Sequence, residues 1–134
     1  MTWVTAATAI ILQAIAFANV AQGTSSQIDE PRKVIIRSAG EFEALWKSHS
    51  TAPLPKVDFA KSIVVGVFLG MRPTAGYTVA IKTVQRMEAN SVVVEYVEAA
   101  PDKSRMVAQM LTSPFHLVSI PNDVKTVEFK QVQK

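Results

Sequence analysis

Ser62-Ile63-Val64-Val65-Gly66-Val67-Phe68-Leu69 runs directly into Gly70-Met71-Arg72-Pro73-Thr74-Ala75-Gly76-Tyr77. The first half is an unbroken apolar run of strand length, rich in β-branched side chains. Such a run predicts a strand at the middle of the domain, covered on both faces. Gly66 inside it predicts a bulge or a close approach by another segment, the helix being one candidate, because a glycine there otherwise only weakens the strand. The second half brings two glycines, a proline, a cation and an aromatic into eight residues. Loops of that composition, held on a rigid sheet, are where binding function concentrates.

Downstream, Tyr77, Val79 and Ile81 alternate with Thr78, Ala80 and Lys82, the period-two pattern of a half-buried strand. Met87-Glu88-Ala89-Asn90 predicts a turn, with Asn90 suited to a left-handed conformation. Val92, Val94 and Tyr96 then alternate with Val93, Glu95 and Val97, and the two runs read as an antiparallel hairpin. Ala99 to Arg105 is polar and reads as an exposed loop. A strand is expected from Val107 to Leu111, interrupted by Thr112-Ser113-Pro114 and resumed over Phe115 to Ile120. Pro121-Asn122-Asp123 is a turn by composition, and Val127 and Phe129 between Thr126, Glu128 and Lys130 give a last amphipathic strand.

Upstream, Pro53 and Pro55 make a stiff connector. Asp58 is expected to cap a turn and Phe59 to fill core. Ser38-Ala39-Gly40-Glu41 has the form of a capping box, after which Phe42, Leu45, Trp46 and His49 form one apolar helical stripe. Arg32-Lys33-Val34-Ile35-Ile36-Arg37 suits a strand near a sheet edge. The fold class expected is α+β: a mainly antiparallel β-sheet or open barrel of six or seven strands, with one short helix after the first strand.

Residues 3 to 21 carry no charged side chain, and Ala16-Phe17-Ala18 supplies an A-x-A cleavage pattern, with Ala21 a second end point. We therefore expect residues 1–21 to be a signal peptide, 22–31 a linker and 32–134 a single domain, placing the folded part outside the cytoplasm, periplasmic or secreted. An uncleaved membrane anchor is the alternative reading of the same segment.

The whole chain has 134 residues, 49% of them hydrophobic, and a formal charge of +3 from scattered cations. That is ample for one core and too mild a charge to point to nucleic acid. The absence of cysteine excludes disulfides, thiolate metal sites, a cysteine nucleophile and lipid attachment through an N-terminal cysteine. The two histidines, His49 and His116, have no spacing that builds a metal site, and no G-x-S-x-G elbow is present. Glu95 and Glu98 fall on opposite faces of a strand and make no acid and base pair. No catalytic residue, metal or cofactor is expected. In the central loop, Pro73 presets a turn, Gly76 supplies a positive φ or close packing, and Tyr77 opens the next strand. The same loop also displays Arg72, Thr74 and Tyr77 as a contact patch of hot-spot residue types.

The motif order is Trp46 and His49 on a helix, Val57-Asp58-Phe59, Phe68-Leu69-Gly70, Arg72 to Tyr77, Thr112-Ser113-Pro114-Phe115-His116 and Ile120-Pro121. Over roughly residues 33 to 132 this resembles the PrcB C-terminal domain family, exported bacterial domains named after an accessory component of a surface protease complex. The resemblance implies a small exported domain without established catalysis, whose founding member helps a protease to mature or remain stable. The candidate binding residues are Arg72, Pro73, Thr74, Gly76, Tyr77 and His116. Two departures stand out. The accessory component is a lipoprotein whereas this chain has no cysteine, and Ala75 stands where the family more usually has glycine. Pro73-Thr74-Ala75-Gly76-Tyr77 also resembles the N-P-T-T-G-Y loop of chagasin-type cysteine protease inhibitors, with Arg72 in place of the asparagine and that family's two other motifs missing. The expected function is an exported non-enzymatic protein-binding module that stabilises an extracytoplasmic protease or assists its maturation. A protease inhibitor presenting the Arg72 to Tyr77 loop is the first alternative and an uncharacterised hydrolase the second.

Overall fold

The computed structural model describes residues 13–104 and 106–133. In chain order the elements are β1 (Gln13–Ala14), β2 (Ala18–Gly23), β3 (Arg32–Ile36), α1 (Ala39–His49), β4 (Ser62–Phe68), β5 (Thr78–Glu88), β6 (Ser91–Ala99), β7 (Phe115–Pro121) and β8 (Thr126–Gln131). They form two four-stranded sheets, ordered β1-β5-β6-β8 and β2-β7-β4-β3, which do not close into a barrel. Every pairing is antiparallel except β6 with β8, which runs parallel from Ser91↔Thr126 to Tyr96↔Gln131.

The predicted central strand is central in fact: β4 lies between β3 and β7 and is buried almost throughout. Because side chains alternate across a strand, β4 carries a core on each face. Ile63, Val65, Val67 and Leu69 meet Val79, Ile81, Val84, Val92, Val94 and Tyr96 of the other sheet. Val64 and Phe68 turn the other way, with Phe115 and Leu117 of β7, and meet Phe42 and Trp46 of α1. The molecule is thus three layers: helix, sheet, sheet.

Gly66 sits opposite Leu117 in the β4–β7 register. A Cβ there would lie 2.1 Å from Leu117 Cδ2 and 3.0 Å from the His116 carbonyl oxygen. The close approach expected of Gly66 is therefore real, but it is made by the neighbouring strand and not by the helix. The capping box holds in modified form. The Glu41 N–H donates to Ser38 Oγ at 3.2 Å, and the Ser38 hydroxyl donates to Glu41 Oε1 at 3.1 Å. Asp58 does cap a turn, its Oδ1 accepting from the Ala60 N–H at 3.0 Å. Phe59 packs on Phe42 with ring centroids 5.8 Å apart.

Four expectations are corrected. The described residues contain eight strands, not six or seven, and the helix follows the third of them. The extra pair arises because β1 and β2 lie within residues 13–23, which are uncharged and apolar enough to read as a leader. The rest of that leader reading, over residues 1–12, falls outside the described residues. Val107 to Leu111 is not a strand: its ends are held by Thr112 and Ala108 bonding to the central loop, which leaves no ladder for it to join. Asn90 is not left-handed, since among the described residues only Gly70 and Gly76 have positive φ. Its carbonyl instead accepts the N–H groups of Lys125 and Thr126 and thereby starts β8.

The stretch read as a linker is also built into the fold. Ser26 and Ile28 are buried, and the Ser26 N–H donates to the Ser113 carbonyl at 3.1 Å.

Candidate functional site

The central loop leaves β4 between two stretches of chain that leave no space beside its glycines. Gly70 has φ +82°, and a Cβ there would meet Pro31 at 2.8 Å; Gly76 has φ +97°, and a Cβ would meet Pro101 at 2.7 Å. Both positions therefore require glycine twice over, by backbone conformation and by contact. Between them the backbone is tied down on three sides. The Met71 N–H donates to the Asp29 carbonyl at 3.0 Å. Arg72 and Thr112 exchange both backbone bonds, at 2.7 and 3.0 Å. The Ala75 N–H reaches the Ala108 carbonyl at 3.0 Å, and the Thr112 hydroxyl donates to the Thr74 carbonyl at 2.9 Å.

The side chains divide into braces and display. Arg72 Nη2 donates to Glu98 Oε1 at 2.8 Å, and its guanidinium lies 5.8 Å from the Tyr77 ring centroid. The pair is about three-quarters shielded, 26% and 27% exposed, which places it above a bare surface ion pair in worth and well short of a buried one. Thr74 is half-buried, its hydroxyl donating to the Ala75 carbonyl at 3.0 Å. Pro73 and Gly76 are exposed and Tyr77 half-exposed. Beside them stand Met71, 47% exposed, and Leu111, 67% exposed. Both line a depression of about 360 Å³ whose other walls are the polar Thr24 to Gln27, Asp29, Thr112 and Ser113.

His116 stands apart from the loop. It is 5% exposed and points between the sheets. Its Nδ1 accepts from the Ile81 N–H at 2.8 Å, which puts the ring proton on Nε2, and Nε2 donates to Asn19 Oδ1 at 2.8 Å. Burial, and secondarily the charge of Lys82, lowers its pKa. The neutral ring is thus a backbone staple between β7, β5 and β2. His49, the other histidine, is also buried and its pKa also lowered by burial. Its Nδ1 is 2.7 Å from Ser26 Oγ, and its ring meets Trp46, Phe68 and Phe115 edge-on.

Of the six residues marked from the sequence, the structure brings Arg72, Pro73, Thr74, Gly76 and Tyr77 together and leaves His116 in the core. Sequence reading missed Glu98, Thr112 and the Met71–Leu111 pair. Glu98 carried a usable sign, an acidic residue at the end of a strand that must pair with the one opened by Tyr77. Met71 and Leu111 carried none, because a lone apolar residue in a loop does not announce a neighbour forty residues on. Among the described residues no three His, Asp or Glu side chains converge, and no helix is long and apolar enough to cross a membrane.

Two open sheets with a helix on one face, and a loop bounded by Gly70 and Gly76 and tied to its neighbours, define a small β-rich domain. Residues 63–121 match the family described as PrcB C-terminal, and over this segment the chain is similar to that family. The matched segment begins in β4 and ends with β7, and so contains the whole loop together with Glu98, Ala108 and Thr112, while Asp29 and Pro31 lie outside it. No curated protein and no solved structure matches the chain.

Proposed function

We propose that this protein is an exported, non-enzymatic module that binds a protein partner, an extracytoplasmic protease, as a stabiliser or maturation factor. The observation that carries it is the loop itself. Its backbone is fixed from three sides while Met71, Pro73 and Leu111 are left to solvent and Tyr77 is half-exposed, so little backbone entropy remains to be lost on docking. The similarity of residues 63–121 to an accessory protease-complex family supports the reading. Arg72 acts here as a brace through Glu98, and the contact surface is the apolar rim.

The test separates rim from brace. A photo-crosslinking residue placed at Met71 or Leu111 in the native host should trap an exported protease, and one placed at Lys47, on the solvent face of α1, should not. A Met71→Ser, Leu111→Ser double variant should lose that product without losing its fold. Equal crosslinking from all three positions would remove the loop from the account. Stoichiometric loss of papain-like or subtilisin-like activity on titration with the pure protein would instead favour inhibition through the same loop.

A further inference from the structure

β5 has two edges, and they are satisfied in different ways. One is paired along its length with β6. The other meets a patchwork: the ring of His116 on the Ile81 N–H, the Gln22 side-chain amide on the Val79 carbonyl at 3.0 Å, and the Ile15 N–H on the Val84 carbonyl at 2.8 Å. Beyond these, Gln13 and Ala14 pair with Arg86 and Gln85. Ile15 and Phe17 turn inward against the core between the sheets, while Ala14, Ala16 and Ala18 face out.

The polar and apolar parts of this covering separate at one peptide bond. Asn19 and Gln22, which hold the buried polar groups, lie after Ala18; Ile15 and Phe17, which fill the apolar strip, lie before it. A cut after Ala18, at the A-x-A pattern, removes the apolar pair and leaves both amides in place. A cut after Ala21 removes Asn19 as well, and with it the bond to the His116 ring nitrogen.

We propose that the outer edge of β5 near Val84 is a strand-docking strip, uncovered when export processing cuts between Ala18 and Asn19. Its occupant is an extended segment of a protein partner that carries two bulky apolar side chains two residues apart. The chemistry of the occupant is set by what covers the strip in the uncut chain: backbone N–H to the Val84 carbonyl, and an Ile-x-Phe spacing facing the core. An added strand supplies main-chain bonds for affinity and alternate pockets for selectivity. The inference rests on the export reading, and the two can fail separately.

The experiment has two arms. The first is the amino-terminal sequence of the protein recovered from the medium or periplasm, expected to begin at Asn19. For the second, a specific-protease site is placed between Ala18 and Asn19 of the full chain, which is cut after folding. It is then titrated with a fluorescent peptide of the sequence of residues 13–18, and with the same peptide bearing serine in place of Ile15 and Phe17. Saturable binding with Kd on the order of micromolar, weakened at least tenfold for the serine peptide, is expected. Equal binding of both peptides, no binding, or loss of the fold when the segment leaves overturns the strip. Exported protein beginning anywhere but Asn19 overturns the proposed cut. Protein confined to the cytoplasm with residues 1–18 attached fails the export reading itself.

Discussion

The two faces of the β4–β7 pair are packed from different materials. Toward the helix lie rings: Phe42, Trp46, Phe68, Phe115 and Phe59. Toward the second sheet lie valines and isoleucines with a single ring, Tyr96, at the buried centre. A sheet facing a sheet at about 10 Å leaves room for one interdigitated layer of short branched side chains. A short helix touches the sheet along one stripe, and large rings are needed to fill the flanks. The same sheet therefore meets two partners of different shape, and alternation along β4 and β7 supplies each with its own residue type. Each face also holds one buried histidine, and the two differ in what a proton would cost.

The strongest test of this division is Phe42→Ala. Phe42 is 2% exposed and touches Trp46 and Phe59 at centroid distances of 6.0 and 5.8 Å. Its loss is expected to cost about 3–5 kcal/mol, read from urea denaturation, and a much smaller cost would mean that the helix is not essential to that face. Next is Gly66→Ala, on the face where Leu117 fills the missing Cβ position. Overpacking should cost about 1–3 kcal/mol. Leu117→Val, added to it, should recover part of that loss; strictly additive effects would deny that the two side chains compete for one space.

The histidines sharpen the comparison. Both have pKa values lowered by burial, so the unfolded chain binds protons that the folded one refuses. Stability from this source is complete above the unfolded value near 6.5 and declines as pH falls below it toward the folded values. The slope is at most about 1.4 kcal/mol per pH unit for each ring. A proton on His116 Nδ1 would face the Ile81 N–H, whereas His49 Nδ1 faces a serine hydroxyl, which reorients. We expect His116 to titrate below His49 in a two-dimensional ¹⁵N NMR titration, and the reverse order would contradict the hydrogen-bond assignment. The smallest effect is Ser38→Ala at the start of α1, about 1 kcal/mol by thermal melting.

Legibility in the sequence followed periodicity. β4, β5, β6, β7 and β8 were readable because valines and isoleucines alternate with polar residues or run unbroken between turn residues. The helix was readable from Ser38, Glu41 and the stripe beginning at Phe42. β1 and β2 were not, because an uncharged run from Trp3 to Ala21 matches a leader before it matches a strand, and nothing local says that Asn19 meets His116. Val107 to Leu111 has strand composition but no available edge, and availability is a property of the whole fold. The loop was legible in its glycines and proline. Its brace was not, since the Arg72–Glu98 pair is formed by the return of the β5–β6 hairpin. His116 was visible as a rare residue type, and only its surroundings distinguish a staple from a contact.

One pairing bears on how fast this molecule is made. Ala18 joins Ser119 and Gly23 joins Phe115, so β2 must close a loop of about two thirds of the chain before its first ladder bond forms. The entropy of such closure falls due before any contact rewards it, and chains dominated by distant pairings fold in milliseconds to seconds where helical bundles need microseconds. The second strand must wait for the seventh. Until β7 emerges, residues 18–23 have no place in the fold and are free to engage whatever machinery meets a nascent chain first.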